Sequence, residues 1–174
     1  MTEQRGASGA GGGAGEAGEA GGAGGSRDAQ PGGDGRAAGG ALVDQARGWL
    51  ADLFAPWVQS LRLQPERVEA GEVVLRLPFD ARLCRVGGTI CGQALMAAAD
   101  TSMVIAISAH LGGFRPMTTV SQTTSFMRAV ADDDVLVTAR VLKPGRTLCF
   151  GEIELASARD GRLAAHVTTT YAML

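Results

Sequence analysis

No asparagine occurs anywhere in these 174 residues, and lysine appears once, as Lys143. The only histidines are His110 and His166, too few for a convincing histidine-based metal centre. Cysteine is scarce as well. Cys84, Cys91 and Cys149 are odd in number and form no CxxC pair, so neither a disulfide framework nor a zinc site follows. No metal is expected. The net charge is −2 with both signs mixed along the chain, which leaves no basic stripe and makes nucleic acid an unexpected partner. No uncharged run is long enough to span a bilayer, so a membrane is not expected either.

Residues 1–40 lack large apolar side chains, Met1 apart, while holding sixteen of the 26 glycines. Such a segment cannot bury enough surface to offset its chain entropy, so a disordered Gly/Ala-rich tail is expected there. Residues 41–174 are then one globular domain, long enough for a proper core. The tail has no apolar centre for a signal peptide, and its acids argue against an Arg-rich transit peptide. The expected location is cytoplasmic.

What is present is patterned. Leu42, Ala46, Trp49, Leu50, Leu53, Phe54 and Trp57 recur at three-to-four spacing, an amphipathic helix interrupted near Pro56. The segment GEVVLRLP then alternates as a half-buried strand. Residues 91–110 read as a helix that is apolar most of the way round, which is expected of a helix wrapped by other structure. After LGGFRP the period becomes two. MTTVSQTTSFMRAV, DVLVTARVL, LCFGEIELAS and RLAAHVTTTYAML read as strands, with KPGRT and Asp160–Gly161 as turns. The expected architecture is α+β: a five-stranded antiparallel sheet wrapped around a long central helix.

One residue of that helix is out of character. Asp100 sits in GGTICGQALMAAADTSMVIAIS, and no Lys or Arg lies between Arg85 and Arg115 to pair with it. A buried carboxylate without partners is costly, so it needs hydrogen-bond donors whatever its role. Thr119, Ser121 and Thr123 alternate along the next strand and are the expected donors, sharing one face. A purely structural acid held by those hydroxyls accounts for the spacing as well as a catalytic one does.

The order of elements and the helix entry resemble the hotdog fold, in particular acyl-CoA thioesterases of the phenylacetate-pathway type. That family's pattern runs Asn, two residues, Gly, two residues, His-Gly-Gly, then Asp seven residues after the last Gly. Here Gly88 and Gly92 occupy two of the glycines and Asp100 the acid's place. Arg85 stands in place of the Asn, Cys91 of the His and Gln93 of the last Gly. FMRAV, LKPGRTLCF and VTTTYAML resemble later strands of the family, and the resemblance spans nearly all of 41–174.

The resemblance implies hydrolysis of an acyl-CoA or acyl-carrier-protein thioester, with coenzyme A as part of the substrate and no separate cofactor. Asp100 would be base or nucleophile, a choice the residues leave open. The N–H of Gly92, with that of Gln93, would meet the oxyanion, since a helix N-terminus offers unpaired donors and a positive dipole end. Asp100 lies eight residues on, about 12 Å along the axis, too far to serve the same carbonyl within one chain. The family arrangement supplies acid and glycine from different subunits, so a homodimer or homotetramer is expected, with pairing of exposed sheet edges. Thr119 matches a family hydroxyl that orients the acid or the water. Arg85 and Arg128 suit coenzyme A phosphates. Cys91, at a helix N-terminus, is a lesser candidate nucleophile with no histidine near it in sequence. Two other readings stand beside this one: a hotdog protein that binds acyl-CoA without cleaving it, and, ranked lower for want of a histidine on the helix, a hydratase.

Overall fold

The computed structural model describes residues 34–174, with side chains from residue 39 onward. Most of the tail expected over 1–40 lies outside the described residues. The first helix, α1, runs Asp34–Asp52 and so begins inside the stretch assigned to that tail. Gly39 and Gly40 belong to it, although neither favours a helix. The amphipathic pattern breaks before Pro56, as its sequence implies, and the one-turn helix α2 (Pro56–Gln59) starts at that proline. The Gln59 amide closes the break by donating to the carbonyls of Ala51 and Phe54 at 2.7 and 2.8 Å.

Six strands follow, not five: β1 (Gln64–Glu69), β2 (Glu72–Leu77), β3 (Met117–Phe126), β4 (Val135–Pro144), β5 (Leu148–Ser157) and β6 (Leu163–Met173). They form one antiparallel sheet in the order β1-β2-β4-β5-β6-β3. The unanticipated strand is β1. Its sequence QPERVE contains a proline and three charges, and a register shift between Pro65 and Arg67 spoils the alternation. Those features suit an edge strand, where a missing N–H and solvated charges are tolerated.

The central helix, α3 (Gly92–His110), packs on β4, β2 and β5. It is long and apolar enough to cross a bilayer, yet most of it is buried within the sheet's curve. Leu95, Met103, Ile105 and Ile107 are buried against Leu75, Val137, Ile153 and Leu155 of the strands. Each such side chain contributes about 1.5–3 kcal/mol by leaving water. Ser102 and Ser108 are buried without penalty because their hydroxyls donate to the carbonyls of Ala98 and Val104, at 2.7 and 2.8 Å. Ala98 and Ala99 are fully buried in this core, filling it rather than lining a cleft.

Candidate active site

Asp100 stands on the face of α3 turned toward β3 and β6, half-buried. It has no ion pair among the described residues; two hydroxyls hold it instead. Thr119 Oγ1 donates to Oδ1 at 2.8 Å, the contact expected from the sequence. The second donor is Tyr171, the only tyrosine of the chain and 1% exposed. Its hydroxyl lies 2.5 Å from the same Oδ1 and 2.9 Å from the main-chain carbonyl of Asp100. With one proton to give, it favours the charged acceptor at the shorter distance. Burial, reinforced by the neighbouring carboxylate, pushes the Tyr171 phenol well above its ordinary value, so it stays protonated as a donor. No described residue donates to Oδ2.

The two donors are cross-strand partners: Thr119 of β3 faces Tyr171 of β6 in register. Immediately beyond, the register slips between Thr119 and Ser121. The expected set Thr119, Ser121 and Thr123 is therefore not one face. A bulge adds a residue and inverts the side-chain parity after it. Ser121 and Thr123 point outward and are exposed, while Gln122, Thr124 and Phe126 turn toward the helix. Gln122 donates from Nε2 to the Met96 carbonyl, one turn before Asp100, at 3.2 Å. The Gln122 Oε1 and Thr124 Oγ1 atoms are buried beside it without protein partners.

The other cluster gathers at the start of α3. Cys91 is its N-cap and gives no side-chain cap bond, so no side chain closes off the first turn. Gly88 occupies a left-handed turn at φ 73°, a conformation that favours glycine, and its N–H donates to the Arg85 carbonyl. Gly92 begins the helix with the Phe126 ring against it: an added Cβ would meet the ring tip at 3.0 Å. The side of Gly92 where a Cβ would project is thus covered by an aromatic side chain of the same chain. Arg85, Thr89, Gly92, Phe126, Met127 and Arg128 border a cavity of about 370 Å³. Neither arginine forms an ion pair among the described residues. Gln93 is exposed in the first turn.

No histidine side chain meets Cys91 among the described residues: His110 ends the helix and lies near Gly71, and His166, opposite Ser125 on β6, is turned to the other face of the sheet beside Glu152, 3.4 Å away. The expected residues thus fall in two groups. Asp100 and Thr119 meet at mid-helix; Arg85, Cys91, Gly92, Gln93 and Arg128 gather at its start. Strand β3 touches both, at Thr119 and at Phe126. The sequence carried one signal for Tyr171. Val167, Thr169 and Tyr171 share the inward parity of the last strand, and a buried phenol needs a partner.

Comparison with known proteins places these features in a family. The family profile described as the Thioesterase superfamily matches residues 87–164, from the helix-entry loop into the last strand. A Silicibacter protein of solved structure, provisionally assigned as a thioesterase, is 34% identical. The match covers 76% of this chain and 91% of that one, with a TM-score of 0.68. A Thermoplasma volcanium protein provisionally assigned as an esterase is 29% identical over 132 residues, 70% of this chain and 92% of its own. The Escherichia coli PaaI protein, from the phenylacetic acid degradation operon, shares the fold at a TM-score of 0.67 and 17% identity. That match covers 77% of this chain and 94% of its own.

Proposed function

The chain belongs to the thioesterase superfamily, a hotdog-fold hydrolase by descent, and on that premise we propose that it hydrolyses acyl-CoA thioesters with Asp100 as the catalytic acid. The observation that carries the reading is the pair of hydroxyls gathered on one oxygen of a carboxylate that has no ion pair among the described residues. Asp100 takes a proton from the water that attacks the thioester carbonyl, or attacks that carbon itself and is released by water afterwards. Either route gives the free acid and the thiol. Developing negative charge on the carbonyl oxygen is met by the open N–H groups of Gly92 and Gln93.

Acid and glycine serve one carbonyl only across two subunits, and β3 supplies a way to bring them together. It is an outer strand of the sheet, it touches Asp100 through Thr119, and it touches Gly92 through Phe126. Antiparallel pairing of β3 with a second copy, about a two-fold near residues 122 and 123, sets Thr119 opposite residue 126 of the other copy. Asp100 then faces the partner's Gly92, and each dimer has two such sites. Arg85 and Arg128, which form no ion pair among the described residues and border the Gly92 cavity, hold the phosphates of coenzyme A. A homodimer is the smallest active unit, and further pairing to a homotetramer is compatible with it. The route asks for no metal and no separate cofactor.

The test is thiol release from short, long and aromatic acyl-CoAs, with wild type beside Asp100→Asn. Loss of the acid lowers kcat by about 10²- to 10⁴-fold, the range of general acid–base contributions. Turnover that survives in Asp100→Asn removes the acid from the mechanism. Acyl-CoA that binds wild type yet is never cleaved identifies a binding protein instead.

A further inference from the structure

Two hydroxyls converge on one oxygen of Asp100 and leave the other without a donor among the described residues. From this asymmetry we infer that Tyr171 is a positioning residue for the catalytic acid: with Thr119 it fixes Oδ1 and leaves Oδ2 as the reacting oxygen. The inference rests on Asp100 being the catalytic acid.

Each element of the arrangement is rigid for a visible reason. Strand β6 lies between β5 and β3, paired along its length on both sides, so the backbone of Tyr171 cannot drift. Its ring is 1% exposed and sits in the core cluster, across from Cys149 of β5. A ring so enclosed presents its hydroxyl along one direction, and that direction ends at Asp100 Oδ1. Thr119 arrives from the neighbouring strand and reaches the same atom at 2.8 Å. The bulge beyond Thr119 lets this residue stay in phase with Tyr171 while Gln122 and Phe126 still face the helix. One donor on a carboxylate leaves it free to swing about χ2. Two donors from different strands, both on one oxygen, fix the plane of the group.

The consequence is chemical. A carboxylate oxygen already accepting two hydrogen bonds is a poor acceptor for a third proton and a poor nucleophile. Oδ2 keeps its lone pairs. It therefore receives the proton of the attacking water, or forms the bond to the carbonyl carbon, and its direction is set by groups that never touch the substrate. Misplacing a reacting group by about 1 Å can cost on the order of 10²-fold in rate.

Tyr171→Phe tests this, because it removes only the hydroxyl and keeps the buried ring. The expected result is a kcat lower by about 10- to 100-fold with KM within about twofold of wild type. The exposed Thr119 gives a second handle that leaves the core intact, and Thr119→Val is expected to lower kcat less, again with KM unchanged. Should Tyr171→Phe fail to fold, the threonine variant decides alone. A kcat unchanged in whichever of these variants folds overturns the inference, as does a change confined to KM. Asp100→Asn measured in parallel separates the two levels. If it is inactive while Tyr171→Phe keeps full kcat, only the positioning role fails; if it is active, the acid itself is not the catalyst.

Discussion

The two outer strands of the sheet are opposites. Strand β1 is short and carries Pro65, Glu66, Arg67 and Glu69; a bulge interrupts it and α1 packs against it. Ion pairs tie it to its neighbour, Arg67 to Glu72 and Arg76 to Glu66. Strand β3 has ten residues, MTTVSQTTSF, and no charge among them. Val120, Phe126 and the following Met127 are all at least half exposed. Charge, proline and cover are the means by which an edge avoids pairing with another chain. Among the described residues one edge has all three, and the other has none. The unguarded edge is also the one that reaches both halves of the candidate site, so the contrast is what a catalytic dimer requires.

The sharpest way to break the contrast is to put a guard on β3. Val120→Lys places like charges near the proposed two-fold and is expected to shift the protein to monomer at micromolar concentration. Thioesterase activity should fall with the dimer population, both followed by sedimentation and thiol release across a dilution series. A monomer with undiminished turnover per chain would mean that the site is complete within one subunit.

A smaller loss is expected from the helix start, where one backbone donor can be removed by itself. Gly92 is the first helical residue, a position that accepts proline, and Cys91 has the extended backbone (φ −72°, ψ 152°) that a residue before proline adopts. Gly92→Pro deletes the N–H, and Gly92→Ala keeps it while pressing a similar carbon on Phe126. The proline variant should lose on the order of 10²- to 10³-fold in kcat, the alanine variant clearly less. Equal losses would assign the defect to Phe126 and its packing rather than to the donor.

At the guarded edge little should happen. The Arg67 guanidinium, helped by Arg140, holds the Glu72 carboxyl below its usual value. A lowered carboxylate stabilises the fold above the ordinary range and stops doing so as pH falls through the lowered value. Glu72→Gln should therefore cost under about 1 kcal/mol at pH 7, and the gap to wild type should shrink as pH falls below the ordinary glutamate range. Oligomeric state should not change. Urea titrations at several pH values measure the first two, and dissociation of the variant would erase the distinction between the edges.

Much of this molecule is legible from side-chain period. The all-round apolar run of α3 and the alternation of five strands declare themselves, because burial on one face or all faces dictates residue choice. The strand that hides is β1, whose edge position favours charges and proline, the signals of a loop. In the site, Asp100 is visible because a carboxylate among alanines and methionines is anomalous, and Thr119 because a donor must answer it. Gln122 is hidden by the bulge: parity counted from Thr119 points the wrong way, and nothing in VSQTT marks the slip. Tyr171 lies 71 positions from Asp100, so their contact exists only once the sheet order is known. Phe126 over Gly92 is hidden for the same reason.

The central claim is that acid and oxyanion donor come from different subunits, and subunit complementation tests it directly. Asp100→Asn and Gly92→Pro chains, each lowered by at least about 10²-fold as a pure preparation, are co-expressed with different affinity tags and the hybrid dimers isolated. Each hybrid then contains one site with both lesions and one with neither. The account predicts activity close to half that of wild type per dimer. Hybrids as inactive as their parents would contradict it and return acid and glycine to the same chain.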